Sequence, residues 1–369
     1  MATVEQALAA LGPLVDAGSG RSLLELGWLR QVRVQERRVV LQMALPGFAG
    51  SQRDRIAADT RRALLDLPDI DDVQIEVGQP AAPASSGPIG GAGHGSGGHG
   101  QLPQRQPIPG VRQVIAVSSG KGGVGKSTVA VNLACALAAS GLRVGLLDAD
   151  IYGPNAPTML GVAERTPEVR GSGNDQILVP IETCGLALVS MGLLIEENQP
   201  VIGRGPMLNG IIRQFLYQVD WGERDVLVVD LPPGTGDAQL SLAQAVPMAG
   251  VIIVTTPQRV SLQDARRGLA MFLQMGVEVL GVVENMSAFI PPDLPDRRYP
   301  IFGSGGGSLL ADEAGVPLLA QLPLEMAVLE GGDRGLPVVL SEPHSVTAEA
   351  FADLASRLRE RCGLQPALA

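Results

Sequence analysis

One nine-residue stretch limits what this chain can fold into more than any other. Gly120-Lys-Gly-Gly-Val-Gly-Lys-Ser-Thr128 follows an apolar run, Gln113–Ser118, and precedes a helical run, Val129–Ala139. It satisfies the pattern G-x-x-x-x-G-K-[ST] in the strand–loop–helix setting that the pattern requires. The glycines let backbone N–H groups converge on phosphate oxygens, and the helix N-terminus adds its partial positive charge. Gly120, Lys121, Gly122, Gly123, Val124, Gly125, Lys126, Ser127 and Thr128 are therefore expected to bind ATP. Lys126 is expected to bridge the terminal phosphates and the Ser127 hydroxyl to ligate Mg²⁺. Among 28 basic residues, only Lys121 and Lys126 are lysines. A chain so biased toward arginine keeps a compact ammonium where the broad guanidinium fork does not fit.

The runs that follow fix the fold around this loop. Arg143–Asp148, Ala187–Met191, Asp225–Asp230, Gly250–Thr255, Val277–Asn285 and Pro317–Leu322 are short and nearly all apolar. They alternate with helical stretches, as parallel strands buried on both faces do. The expected fold class is α/β: a doubly wound, mostly parallel sheet, with its ligand at the carboxyl ends of the strands. Leu147-Asp-Ala-Asp150 and Val226-Leu-Val-Val-Asp230 end successive strands at that level. Asp150 is the candidate to orient an attacking water, with Asp148 nearer the metal and lysines. Asp230 is the candidate to hold Mg²⁺ through a water. The loop Leu231-Pro-Pro-Gly-Thr-Gly-Asp237 offers the Gly234 N–H as a γ-phosphate sensor.

Residues 79–110 hold nine Gly and six Pro with Arg105 their only charge, which reads as a flexible linker between two domains. His94 and His99 within it lack further ligands for a metal clamp. Residues 1–78 read as a small α+β domain in the order helix, strand, strand, helix, strand. Their strands are Gly27–Gln35, Arg38–Leu45 and Asp72–Val77, and the second helix, Ser51–Leu67, carries Ile56, Ala57, Leu64 and Leu65. Residues 111–369 form the nucleotide domain. The formal net charge is −10, and aromatic residues are 3% of the chain, so neither a global pull toward nucleic acid nor a base-stacking platform is expected. Cys135, Cys184 and Cys362 are odd in number and far apart, which speaks for a reducing compartment. No basic leader opens the chain and no apolar run reaches membrane-spanning length, so the expected location is cytoplasmic, with no membrane partner.

With Lys121 beside Lys126, the loop resembles the deviant phosphate loop of the MinD/ParA/nitrogenase-iron-protein class. That resemblance implies a nucleotide-sandwich homodimer in which Lys121 reaches the partner's nucleotide. Val117–Thr128, Asp148-Ala-Asp-Ile-Tyr-Gly-Pro154, Asp230-Leu-Pro-Pro-Gly-Thr-Gly-Asp237, Glu284-Asn-Met-Ser287, Phe302–Gly307 and Asp333–Pro337 together resemble the Mrp/ApbC-type iron–sulfur cluster carriers. Ser19–Gly27 resembles the iron–sulfur-assembly-type domain that often precedes this ATPase. The resemblance implies slow, Mg²⁺-dependent ATP hydrolysis, adenine contact by Asn285, a 4Fe–4S cluster as cofactor or cargo, and assembly or recipient proteins as partners. One departure concerns the cluster. The family commonly follows Asn-Met-Ser with Cys-Pro-x-Cys, whereas Pro291 and Leu294 stand at those places here and no Cys-x-x-Cys occurs anywhere. Cluster carriage is thereby in doubt and the cluster ligands are unknown.

Two other readings compete. A MinD/ParA-like positioning ATPase would use the stripe Val346, Ala350, Phe351, Leu354 and Leu358 to reach a membrane, or a hidden basic patch to reach DNA. A non-catalytic scaffold would use nucleotide only to set the shape of a dimer.

Overall fold

The computed structural model describes residues 4–14, 22, 29–35, 37–44, 50–67, 69–78, 105–172, 175–194 and 205–366. The chain divides into two compact units, Met1–Gly97 and Gly98–Ala369. The Gly18–Gly20 turn, nearly all of Ser19–Gly27 and the linker from 79 to 104 lie outside the described residues.

The small unit runs α1 (Val4–Leu11), β1 (Leu29–Gln35), β2 (Arg38–Ala44), α2 (Gly50–Leu65) and β3 (Asp72–Gly78). β1 pairs antiparallel with β2, and β2 pairs parallel with β3, giving the order β1-β2-β3. Period-two residues Val39, Leu41 and Met43 meet Ala7 and Leu11 of α1 and Leu64 of α2 in one core. Leu65, expected on the apolar stripe, is exposed instead, because it lies about 100° around the helix from the buried Leu64.

The large unit is built on β4 (Val114–Ser119), β5 (Val144–Asp148), a short hairpin β6 (Val169–Arg170) and β7 (Ile177–Leu178), β8 (Ile181–Thr183), β9 (Leu186–Ser190), β10 (Val226–Asp230), β11 (Gly250–Thr255), β12 (Val279–Phe289) and β13 (Leu318–Leu324). Eight of these strands form one sheet in the order β13-β12-β11-β4-β10-β5-β9-β8. All neighbours are parallel except β8, which runs antiparallel to β9 at the edge. Alternate residues of each strand divide between two apolar layers. Ile115, Val117, Leu146, Leu188 and Val228 pack with α3 (Lys126–Ala139), and Val114, Ala116, Leu147, Val189 and Val229 pack on the opposite face. That partition is why these strands read as continuous apolar runs.

Three differences from the sequence expectation have physical causes. β8 and the β6–β7 hairpin carry too few residues to show a period. β12 extends to Phe289 because Met286 takes a left-handed turn (φ 54°) inside it and the pairing with β13 resumes after a shift. Residues 105–110, counted with the linker by composition, pack on the large unit: Ile108 is buried, Gln106 N–H bonds Ala245 O at 2.8 Å and Tyr217 Oη bonds Gln106 O at 3.0 Å.

The last helix, α11 (Val346–Cys362), turns most of its stripe inward, with Val346 at its start staying exposed. Phe351, Leu354 and Leu358 are at most 1% exposed, within the same layer as α3. This removes that stripe as a membrane-seeking face. Leu354→Ala should therefore cost about 2–5 kcal/mol of unfolding free energy, read as a lowered urea midpoint.

Candidate nucleotide site

β4 delivers the chain into the glycine loop at the carboxyl edge of the sheet, next to the point where strand order reverses between β4 and its neighbours β10 and β11. Gly125 caps α3 in the left-handed region (φ 80°), and a Cβ there would meet Asn285 Nδ2 at 2.2 Å. Asn285 donates from that nitrogen to Val124 O at 2.8 Å, which clamps the loop from β12. At the other end, a Cβ on Gly120 would meet the Asp264 backbone at 2.1 Å, in α7 (Arg259–Gln274). Between them, Gly122 and Gly123 face open space. The loop is thus pinned at both ends and bare in the middle.

The Lys126 side chain is 6% exposed; its Nζ lies 2.5 Å from Asp230 Oδ1, 3.3 Å from Ser127 Oγ and 3.7 Å from Asp150 Oδ2. Asp230 is fully buried, and its Oδ2 has no hydrogen-bond partner. Burial pushes its carboxyl above the usual range, while Lys126 and the Ser127 hydroxyl pull it down. An orphaned buried carboxylate oxygen beside a hydroxyl suits a hydrated Mg²⁺, so the residues present fit that ion.

Asp148 does not sit where the sequence reading puts it. Its Oδ1 accepts the Asp150 N–H at 3.1 Å, and its Oδ2 accepts the Ala156 N–H at 3.2 Å and the Ser190 hydroxyl at 3.0 Å. Those bonds engage both of its oxygens, and of the two carboxylates it is Asp150 that lies in ion-pair range of Lys126, at 3.7 Å. Burial, and then the charge of Asp230, raise the Asp148 carboxyl to about 7. The Gly234 N–H is also engaged: it donates to Ser119 O at 2.9 Å, so sensing a phosphate requires that bond to break. Gln239 Nε2 holds the same loop through Pro232 O (2.6 Å) and Gly234 O (3.0 Å). Ser119, Ser190 and Gln239 escaped the sequence reading; the available signal was a polar residue ending or following an apolar strand. For Lys121, no ion pair is recorded among the described residues.

A cavity of about 300 Å³ opens beside the loop, lined by Thr128, Asn285, Met286, Leu324, Asp333 and Phe351 among others. None of the cysteines is near it. Cys135 is walled into the core, where burial raises its thiol pKa. Cys184 (φ 51°) occupies the β8–β9 turn, and Cys362 ends α11, where its carbonyl accepts from Gln113 ahead of β4. Cys184 and Cys362 thus lie at the amino edge of the sheet, opposite Lys126.

Residues 110–359 match the model of the NUBPL iron-transfer P-loop NTPase family, and residues 4–77 match that of iron–sulfur cluster assembly proteins. The chain belongs to the iron-transfer P-loop NTPases. It is 52% identical to an iron–sulfur cluster carrier protein of Synechocystis, over 97% of both chains. A nucleotide-binding protein of Archaeoglobus fulgidus, solved in complex with ADP, is 37% identical, covering 61% of this chain and 87% of that one with a TM-score of 0.53. The septum site-determining protein MinD of Pyrococcus horikoshii shares the fold at 23% identity (69% of this chain, 99% of that one, TM-score 0.51). Among the described residues, no helix is long and apolar enough to cross a membrane.

Removing Lys126 from this NTPase leaves the buried Asp230 carboxylate unpaired, so Lys126→Ala is not a silent surface change. Breaking such a pair costs about 3–5 kcal/mol. The variant's Asp230 must then hold a proton in the folded state well above the pH at which the unfolded chain releases it. Folded protein thus binds more protons than unfolded, and stability falls as pH rises. Urea midpoints of Lys126→Ala should lie further below those of the parent at pH 8 than at pH 5.5.

Proposed function

We propose that this chain is a Mg²⁺-dependent ATPase, converting ATP to ADP and phosphate as a homodimer, and that it serves iron–sulfur cluster assembly or transfer in the cytoplasm. The observation that carries the reading is the buried Lys126 ammonium, held between Asp230 and Asp150 at a glycine loop whose centre is bare. The Gly120–Thr128 N–H groups and Lys126 bind the phosphates, Lys126 exchanging Asp230 for phosphate oxygens. Ser127 would hold Mg²⁺ directly and Asp230 through a water. When bound, that ion offsets charge on the terminal phosphates. Asp150 orients the attacking water, Asn285 contacts the adenine in the 300 Å³ cavity, and Lys121 reaches the nucleotide of a second copy. Gly234 senses the γ-phosphate by leaving Ser119.

The cluster enters as cargo. Cys135 is sealed off, Cys184 and Cys362 sit on the edge of the sheet remote from the nucleotide, and Pro291 and Leu294 offer no thiolate after β12. Among the described residues, no group of three or more His, Cys, Asp or Glu is arranged to hold a metal. Four thiolates are the usual cage. In this reading the chain acts on a cluster whose ligands come in part from a donor or recipient protein, and the Gly/Pro-rich segment 79–104 tethers a partner-recruiting small domain to the ATPase.

Two measurements test this. Asp150→Asn should retain ATP and Mg²⁺ yet lower turnover by about 100-fold, and with ATP it should elute as a dimer. Elution of the variant with ATP at its ADP position would count against a nucleotide-gated dimer. Anaerobic reconstitution of the parent chain alone with iron and sulfide should give well under about one cluster per dimer while ATPase activity persists. A stable stoichiometric cluster, lost on Cys184→Ala or Cys362→Ala, would show instead that these thiols suffice.

A further inference from the structure

The last residues of β10, β5 and β9 stand in register: Asp230 is paired with Asp148, and Asp148 with Ser190. All three are at most 1% exposed, and period-two alternation puts them on the α3 side with Val228, Leu146 and Leu188. They form one polar row across the carboxyl edge of the sheet. Asp230 meets Lys126, and Asp148 holds the backbone of Asp150. Ser190, at the end of an otherwise apolar strand, is the member with no part in the chemistry so far.

The bonding of Ser190 fixes its direction. Its Oγ accepts the Gly192 N–H at 3.1 Å, which occupies the acceptor side of the hydroxyl. The O–H is thereby left to donate to Asp148 Oδ2 at 3.0 Å. Asp148 spends its remaining capacity on the N–H groups of Asp150 and Ala156, at the two ends of the loop that carries Asp150. The Ala149 N–H, one residue on, donates to Asp230 O at 2.9 Å and ties that loop to the neighbouring strand. Packing reinforces the link, since a Cβ on Gly192 would meet Pro154 of the same loop at 3.0 Å. The end of β9 thus grips the Asp150 loop twice, once through the Asp148 carboxylate and once through the proline ring.

We propose that Ser190 is a positioning residue for ATP hydrolysis: by orienting the Asp148 carboxylate it sets the backbone of Asp150 and so the place of that residue's carboxylate relative to Lys126. The inference rests on the ATPase reading above. Ser190 touches neither nucleotide nor water in this scheme; its removal acts on the Asp150 loop through Asp148 and, by freeing the Gly192 N–H, through the contact with Pro154. Without the hydroxyl, Asp148 loses its one side-chain donor and can rotate about χ2 while staying buried. The Asp150 backbone then loses a fixed anchor. Nucleotide binding depends on the glycine loop, Lys126 and Asn285, none of which bonds Ser190, so binding is untouched.

The test compares the full-length parent with Ser190→Ala, Ser190→Cys and Ser190→Thr for ATP affinity, kcat and KM. A charge-assisted hydrogen bond of this kind is worth about tenfold in rate when it is needed only to align the reacting groups. Ser190→Ala should bind ATP with an unchanged Kd and KM and lose about tenfold in kcat. Ser190→Thr keeps the donor and should recover at least about half of the parent rate; the weaker thiol donor of Ser190→Cys should fall between. Equal kcat in the parent and Ser190→Ala would overturn the inference, as would equal losses in Ser190→Ala and Ser190→Thr, or a rise in KM that accounts for the whole effect. If Ser190→Ala does not fold, the order Cys below Thr at constant KM decides the matter. Absence of hydrolysis by the parent itself would instead sink the ATPase reading, a separate outcome.

Discussion

The buried contact between Lys126 and Asp230 is the constraint around which the large unit is arranged. An ammonium 6% exposed and a carboxylate with no exposure are tolerable only as partners. Keeping them together requires β10 beside β4, α3 starting at the end of β4, and Gly125 in a conformation that turns the chain into that helix. The eight-stranded sheet supplies the first requirement, the glycine loop the third. In this state the pair also leaves one oxygen of Asp230 unsatisfied, a cost carried by the site and relieved only by something that donates to it. In the proposed function, a phosphate draws Lys126 away and a hydrated cation takes its place on Asp230.

Around that contact, four short hydrogen bonds tie loops to strand ends or to a helix. Ser119 holds the Gly234 N–H, Gln239 holds the carbonyls of Pro232 and Gly234, and Asp148 holds the Asp150 loop. Each joins a strand end or a helix to a connecting loop. The apolar layers on the two faces of the sheet make this possible. They hold in place the strand ends that carry these partners.

Much of this was legible in the sequence, for identifiable reasons. The parallel strands between 113 and 322 showed because burial on both faces makes them nearly uniformly apolar, and the loop showed because its glycines and lysine have no substitutes. Asp230 and Asp150 showed because each follows such a strand. What stayed hidden depends on pairing between strands distant in sequence. Nothing in Asp148-Ala-Asp150 says which carboxylate turns inward; Ser190, forty-two residues on, decides it by offering a hydroxyl in register. Likewise Gly234 reads as a free N–H until Ser119 O is placed beside it. Residues 105–110 read as tether because composition cannot register that Ile108 has a pocket.

The lysine economy of the chain has a chemical consequence. Side-chain primary amines occur only at Lys121 and Lys126, and the second is shut behind two carboxylates. Any acylating or carbonyl reagent directed at side-chain amines therefore meets Lys121 first and finds no other lysine on the surface. A protein whose arginines serve everywhere else has, in effect, confined its entire lysine nucleophilicity to the mouth of one loop, and its reactivity toward such reagents reports on that loop alone.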